Sequence, residues 1–175
     1  MNEEQVIIVD ENDIQTGSAG KMEAHRNAIL HRAVSVFIVD SMGPWLLQKR
    51  ALDKYHSKGL WTNTCCTHPL PGETVFQAAK RRLSEEMGIT CELKEVFSFI
   101  YKEKMDNDLT EHEFDHVFTG ISDDDPVINT LEVVDWKRIS FYELKNDILL
   151  SPETYTWWFR KIFEKVNGHL KSPEE

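Results

Sequence analysis

The sequence predicts an α/β or α+β fold in which a mixed β-sheet is flanked by helices. Two observations support this prediction: strand-length runs of apolar and β-branched residues dominate the middle of the chain, and segments with helical features are interspersed among them. With 175 residues, of which 41% are hydrophobic, the chain can bury one core of ordinary size. We therefore expect a single domain over residues 1–175, with a core at about residues 4–165.

The amino-terminal third of the chain predicts three strands and a short helix. The apolar run 5–10 ends in turn-forming residues and predicts a first strand, and residues 21–27 favour a short helix. Runs 33–40 and 45–49 flank the turn signal Ser41-Met42-Gly43-Pro44, which predicts a hairpin. The segment that follows, residues 52–59, is basic and irregular.

The rest of the chain predicts a central helix, three more strands and a closing helix. Val75, Ala79, Leu83 and Met87 recur near helical spacing within 74–87, and Gly88 stands where a left-handed cap would end that helix. Strands are predicted at 96–101, 111–121 and 133–139, with an acidic turn at 122–126 before the last. Ser151-Pro152 predicts the start of a helix that runs to about residue 170, and the tail 171–175 is expected to fray.

Composition argues against several classes of function. The net charge of -10 disfavours a nucleic-acid surface, because a phosphate backbone attracts Lys and Arg. The amino terminus carries acids where a secretory signal would carry bases, and its apolar run is too short to span a membrane, so we expect a cytoplasmic protein. Three cysteines are an odd number, and adjacent Cys65 and Cys66 in a strand would point to opposite faces, so no disulfide framework is expected.

The stretch from Cys66 to Gly72 is the most informative one for function. It places a thiol, a potential metal ligand in His68 and a Pro/Gly-bent loop immediately before the central helix. That layout is typical of a site rather than of a core.

The strand predicted at 111–118 alternates acids with other residues. Glu111, Glu113 and Asp115 share one face, with His112, Phe114 and His116 on the other. Three like charges on one face repel each other unless they are solvated or hold a cation, and both interpretations remain open from this segment alone. His25, His31 and His68 add nitrogen donors, and such a mixed set suits Mg2+ or a divalent transition ion.

A basic group in this acidic chain indicates a local anion site. It consists of Lys21, Lys49, Arg50, Lys54 and Lys58, with Arg50 and Lys54 as the first candidates for binding a diphosphate.

The central helix resembles the Nudix box, G-x5-E-x7-R-E-U-x-E-E-x-G-U, a loop-helix-loop that binds Mg2+ and a diphosphate. The matching residues are Glu73, Arg81, Leu83, Glu85, Glu86, Gly88 and Ile89. Thr67 replaces the first Gly of the motif, and Arg82 replaces a Glu that helps Nudix hydrolases assemble the metal cluster that activates water. An Arg at this position is suited to binding phosphate oxygens instead.

The run Trp61-Thr62-Asn63-Thr64-Cys65-Cys66-Thr67-His68-Pro69, with Arg81-Arg82 and Glu111-His112-Glu113, resembles the type 1 isopentenyl-diphosphate isomerase family over about residues 4–165. The resemblance implies a Nudix-like mixed sheet between helices and interconversion of isopentenyl and dimethylallyl diphosphate, an intramolecular allylic isomerisation. It also implies the roles of the site residues. Catalytic residues would be Cys66, Glu113, Tyr101 and Trp158; ligands of Mn2+, Mg2+ or Zn2+ would be His25, His31, His68, Glu111 and Glu113; Glu86 would bind Mg2+ carried by the substrate; and Lys21, Arg50, Lys54 and Arg82 would bind its diphosphate.

Three points remain open from the sequence. Trp157 and Trp158 are both candidates for the tryptophan near the reacting carbon, and the match of 155–159 to the family's Y-T-P-W-F form favours Trp158, with Trp157 expected to pack. A Nudix hydrolase and a non-catalytic diphosphate- or metal-binding module are the alternative functions. A monomer or weak homodimer is expected.

Overall fold

A computed structural model describes residues 4–170; residues 1–3 and the tail 171–175, expected to fray, lie outside the described residues. Nine strands and four α-helices alternate along the described chain. The strands are β1 (Gln5–Val9), β2 (Gln15–Gly20), β3 (His31–Val39), β4 (Trp45–Arg50), β5 (Trp61–Thr62), β6 (Cys65–Thr67), β7 (Leu93–Lys104), β8 (Thr110–Ile121) and β9 (Val133–Ile139). The helices are α1 (Lys21–Arg26), α2 (Val75–Met87), α3 (Phe141–Leu150) and α4 (Trp157–Leu170), with a 3-10 helix at Pro152–Thr154.

β3 is the organising strand of a mixed sheet. One of its edges pairs in parallel with β8 over all nine residues of β3, from His31 opposite Glu113 to Val39 opposite Ile121. The other edge is shared in turn by three antiparallel strands: β1 at His31, β6 at residues 34–36 and β4 at residues 38–39. Every element near the centre of the sheet is therefore positioned by one buried strand.

The sheet separates two apolar clusters. Residues of even number on β3, such as Val34 and Val36, pack with Leu83 and Met87 of α2. Phe37 on the same strand packs on the other side with residues of α4. Because successive side chains of a strand point to opposite faces, the alternation along β3 assigns one helix layer to each face.

The ends of α2 follow the signals in the sequence. Thr74 and Gln77 form a reciprocal capping box at the amino end, in which each side chain accepts a hydrogen bond from the other residue's backbone N–H. Gly88 ends the helix with φ 66°, the left-handed conformation that favours glycine. The sequence prediction of this helix is confirmed, as are the hairpin of β3 and β4 and the strands at β1, β8 and β9.

The closing helix begins later than predicted. Ser151-Pro152 starts the short 3-10 helix, and α4 begins only at Trp157. Tyr155 is extended and bridges to Trp61 of β5, and the Thr156 N–H donates to the Trp61 carbonyl at 2.9 Å. This tertiary contact separates the two helices and directs the first turn of α4 towards the sheet.

The sequence analysis missed four elements and shortened another. β2, the short strands β5 and β6, and α3 were not predicted, and β7 extends beyond the predicted 96–101 at both ends. The Ser140-x-x-Glu143 capping box at the start of α3 is a signal that could have identified this helix. Among the described residues, no helix has the length and apolar character needed to cross a bilayer.

Gly88→Ala should destabilise the protein by about 2 kcal/mol or more, because alanine is strained at positive φ. The new Cβ would also lie 2.9 Å from the Cβ and carbonyl oxygen of Val127. Gly168→Ala is the matched control, since a Cβ there meets no atom within 4 Å and alanine favours the helix by about 0.5–1 kcal/mol. Urea denaturation measures both variants, and equal changes in their free energies of unfolding would contradict the prediction.

Candidate active site

The register of the sheet gathers the site on the face that α4 covers. His31 of β3 lies directly opposite Glu113 of β8, and Tyr101 of β7 lies opposite Glu113 from the other side. Cys66 of β6 lies opposite Ser35 of β3. Ser35 is on the same face of β3 as His31, four residues further along the strand. Side chains at paired positions of neighbouring strands share a face, so these residues approach each other without any special loop.

Five side chains form a buried cluster of metal-type donors, and their ligand atoms all lie within 4.8 Å of one another. They are His25, His31, His68, Glu111 and Glu113. The structure therefore brings together all five residues that the family resemblance assigned to one metal site. The acidic face of β8 is buried, so the interpretation of this segment as a solvated strand face is wrong.

The donor set fits a divalent metal ion. The Nδ1–H groups of His25 and His31 donate to the carbonyls of Lys21 and Ile29, at 2.6 and 2.8 Å. In a neutral imidazole the other nitrogen, Nε2, then carries the lone pair that binds a metal. The Nε2 atom of His25 and the Oε2 atom of Glu111 are buried and make no hydrogen bond, although they lie 3.2 Å apart. Such orphaned atoms indicate a site shaped for a cation.

The two carboxyl groups of the cluster differ in proton affinity. Burial and the nearby charge of Glu111 raise the pKa of Glu113 well above its ordinary value. Burial would raise the pKa of Glu111 too, but contacts with His25 and His56 hold that pKa well below its ordinary value. Without a metal, Glu113 is therefore the carboxyl group that retains a proton.

Cys66 is the thiol of the site, and its Sγ donates to Asn63 Oδ1 at 3.1 Å. Burial, with the nearby Asp115 carboxyl, raises the pKa of Cys66 to about 12, so the thiol keeps its proton at neutral pH. Ser35 Oγ lies 3.8 Å from the sulfur and donates to Asp115 at 2.8 Å. Cys65 points to the opposite face and is fully buried with α2, as expected for packing.

An aromatic wall adjoins the carboxyl group of Glu113. The Tyr101 hydroxyl donates to Glu113 Oε2 at 2.7 Å. Trp158 lines the same cavity, whereas Trp157 stacks on Tyr101 with ring centroids 5.5 Å apart.

The cavity has a volume of about 220 Å³, and the four cations assigned to diphosphate binding all line it. Lys21 pairs with Glu4 at 3.0 Å, and Lys54 pairs with Glu132. Lys49 and Lys58, which belong to the same basic group in the sequence, are not among the lining residues.

Arg50 and Arg82 are held by different partners. Arg50 donates to the carbonyls of His56 and Ser57, both at 3.2 Å, and its guanidinium lies 5.4 Å from the centre of the Trp158 ring. Arg82 donates to Glu86 at 2.6 Å and contacts Glu132 at 3.4 Å. These cations are therefore held by acceptors around the cavity.

Glu86 is buried at the base of α2, apart from the five-residue cluster. It accepts hydrogen bonds from Gln48 at 2.9 Å and from Arg82. Each oxygen of the Glu86 carboxylate therefore accepts one hydrogen bond, Oε2 from Gln48 and Oε1 from Arg82. Arg82 occupies the position at which the Nudix box has Glu.

Sequence reasoning missed Tyr55 and His56, which also line the cavity. His56 is 1% exposed, and its Nε2 lies 2.5 Å from Glu111 Oε1. Both residues belong to the irregular segment 52–59, where no periodicity marks a buried side chain. A histidine within a basic loop close to the site motif was the one available signal.

Comparison with known proteins identifies the family. The NUDIX domain family model matches residues 29–165. "Isopentenyl-diphosphate Delta-isomerase 2" of Aromatoleum aromaticum is 53% identical over 94% of this chain and 87% of its own length. "Isopentenyl-diphosphate Delta-isomerase" of Pectobacterium atrosepticum is 48% identical over 96% of this chain and 94% of its own. The chain belongs to the isopentenyl-diphosphate Delta-isomerases of the NUDIX domain family.

Solved structures support the NUDIX fold. A protein from Deinococcus radiodurans aligns with a TM-score of 0.71 and 21% identity, over 84% of this chain and 90% of its own. The MutT protein from Methanosarcina mazei aligns with a TM-score of 0.66 and 21% identity, over 82% of this chain and 96% of its own. The predicted mixed sheet flanked by helices is confirmed.

His68→Ala should weaken binding of Mn2+ by more than about 100-fold, because loss of a residue that merely orients a ligand already costs about 10- to 100-fold. His116→Ala is the matched control, since this histidine lies on the opposite face of β8 and contacts Asp13 and Glu95. Titration of the metal-free protein with Mn2+ measures both. Equal affinities of the two variants would contradict the assignment of the site.

Binding of Mn2+ should become tighter from about pH 6 to about pH 8, because the metal must displace protons from its ligands. Burial lowers the pKa of His25, but contact with Glu111 raises it by more, so the net pKa is raised. The pKa of Glu113 is also raised, so this carboxyl group likewise retains a proton. Burial lowers the pKa of His31 to about 4 and that of His68 well below its ordinary value, so these two are already neutral. Calorimetry in buffers of different ionisation enthalpy counts the protons released, and no release at about pH 6 would contradict this account.

Proposed function

We propose that the chain interconverts isopentenyl diphosphate and dimethylallyl diphosphate, and that Cys66 and Glu113 transfer the protons. One observation carries the proposal: a protonated thiol and a carboxyl group of raised pKa line a single cavity, together with a cluster of metal-type donors and four cationic side chains.

The reaction requires such a pair. An unactivated double bond is a weak base, and its protonation produces a tertiary carbocation that water would capture. One group must deliver a proton to the carbon skeleton and another must remove one, and neither can be water. Cys66 and Glu113 extend from β6 and β8, the strands on either side of β3, and so approach the cavity from two directions.

Neighbouring residues prepare these two groups for proton transfer. Asn63 accepts the thiol proton of Cys66 in a hydrogen bond and thereby holds the sulfur in one orientation. Tyr101 donates to Oε2 of Glu113 and leaves the other oxygen, Oε1, to His68. The reacting atoms of both groups are consequently held in defined positions before substrate arrives.

Two metal ions belong to the proposal. His25, His31, His68, Glu111 and Glu113 would hold Mn2+, Mg2+ or Zn2+, and Glu86 would bind Mg2+ that arrives with the substrate. The first ion would supply positive charge beside Glu113 and favour its carboxylate form. Lys21, Arg50, Lys54 and Arg82 would bind the diphosphate oxygens, with Arg82 exchanging part of its contact with Glu86 for phosphate.

Trp158 is the tryptophan that we propose faces the reacting carbons. It lines the cavity, and its π-face could stabilise a cation by roughly 0.5 to 2 kcal/mol. Trp157 packs on Tyr101 and would act only through that contact.

Hydrolysis of a diphosphate is the weaker alternative. In this chain Arg82 stands at the position of a Nudix-box Glu and is tied by ion pairs to Glu85 and Glu86. The thiol of Cys66 has no role in hydrolysis. A module that only binds its ligand would leave the paired proton donors of the cavity without a role.

We also propose the domain organisation, oligomeric state, compartment and substrate class that the sequence led us to expect. The chain would act as one domain, as a monomer or weak homodimer in the cytoplasm, on a small diphosphate and not on nucleic acid. The net charge of -10 disfavours nucleic acid, whereas the four cationic side chains that line the cavity offer a local site for a small diphosphate.

Cys66→Ala and Glu113→Gln should each lower the isomerisation rate by about 10²- to 10⁴-fold while the fold is retained, because each removes one proton-transfer group. The assay incubates the enzyme with isopentenyl diphosphate, Mg2+ and Mn2+ in deuterated water and follows dimethylallyl diphosphate and its deuterium content. Cys91→Ala is the matched control, since Cys91 packs beside the α2 cluster, away from the cavity.

Two outcomes would contradict the proposed function. Release of inorganic phosphate by the wild-type protein would favour the hydrolase. Wild-type levels of deuterated product from Cys66→Ala would remove the thiol from the mechanism.

A further inference from the structure

We propose that His56 is a positioning residue that fixes the orientation of the Glu111 carboxylate within the five-residue metal cluster. The inference rests on the proposed function and adds a residue outside the ligand set. His56 belongs to the loop 52–59, between β4 and β5, and closes over the cavity from that side.

The contacts of Glu111 are divided between its two oxygens. Oε1 lies 2.5 Å from His56 Nε2 and Oε2 lies 3.2 Å from His25 Nε2, and neither histidine nitrogen makes a hydrogen bond of regular geometry. A carboxylate without an outer partner can rotate and present either oxygen, or both, to a metal. His56 limits that freedom, because its ring nitrogen lies against one oxygen while the other oxygen faces His25 of the cluster.

His56 is itself held in one orientation. Its ring is 1% exposed and lies edge-to-face with the rings of Tyr55 and Trp158, at centroid distances of 4.4 and 5.8 Å. Nδ1 lies 3.1 Å from Ser57 Oγ, and a serine hydroxyl can donate to this nitrogen. The ring proton then resides on Nε2, the atom that faces Glu111.

The backbone of the loop is anchored to a residue of the diphosphate site. The Arg50 guanidinium donates to the carbonyls of both His56 and Ser57. Ser57 has φ 50°, a left-handed conformation that a non-glycine residue adopts only when its surroundings hold it there. The position of His56 therefore depends on Arg50. The same arginine thus lines the proposed diphosphate site and holds the loop that contacts the metal cluster.

His56 acts through Glu111 rather than as a sixth ligand. The five donor atoms of the cluster lie within 4.8 Å of one another, whereas His56 reaches them through its contact with Glu111. Loss of such an outer partner typically weakens metal binding by about 10- to 100-fold without abolishing it.

The test measures Mn2+ affinity of the metal-free full-length protein, by titration with detection of free Mn2+. His56→Phe keeps a ring against Trp158 but removes the nitrogen that contacts Glu111, and we expect about 10- to 100-fold weaker binding. His56→Gln retains an N–H donor and should recover most of the loss. His169→Phe, a substitution on the exposed side of α4, is the control and should bind as the wild type does.

The outcomes separate this inference from the proposed function. Equal Mn2+ affinity of His56→Phe and wild type would overturn it, as would equal losses in His56→Phe and His56→Gln, which would show that the ring serves only in packing. Failure of the wild-type protein to bind Mn2+ would overturn the metal site of the proposed function and the role of His56 with it. Thermal denaturation of the metal-free variants identifies any that fail to fold, and His56→Gln then decides alone.

Discussion

The parallel pairing of β3 with β8 is the constraint on which the site depends. Side chains alternate along both strands, so a slip of one residue would turn Glu111, Glu113 and Asp115 away from His31 and towards α2. The apolar half of the same pattern prevents this slip, because Phe118 of β8 must face α2 beside Val34 and Val36 of β3. Packing of an ordinary hydrophobic layer thus fixes the geometry of the polar layer behind it.

That polar layer is costly for the fold. Three acids and four histidines lie on or beside one buried face, and several of their atoms lack hydrogen-bond partners. Neutral His31 and His68 and a protonated Glu113 reduce the charge in the metal-free protein. A bound cation would offset the remaining repulsion, so ion binding and folding stability should be linked in this chain.

The sequence predicted the parts of the fold that periodicity or a motif encodes. Alternation in 111–121 and helical spacing in 74–87 identified the elements that carry three of the candidate ligands, Glu111, Glu113 and Glu86. Short strands such as β5 and β6 have too few residues to show a period, and the start of α4 is set by contact with Trp61, which no local pattern reveals. His56 was missed for the same reason, because its burial depends on tertiary contacts with Arg50 and Glu111 that no local pattern reveals.

The adjacent residues Cys65 and Cys66 place two selective pressures side by side. Cys65 fills space against α2, so other small apolar residues could satisfy its position, whereas Cys66 faces the cavity, where the proposed mechanism requires a group that exchanges a proton. Random mutagenesis with selection for activity should therefore leave a broad spectrum of survivors at one codon and a narrow one at the next. Of these two adjacent residues, Cys65 is constrained by packing, and Cys66 by the chemistry proposed for the cavity.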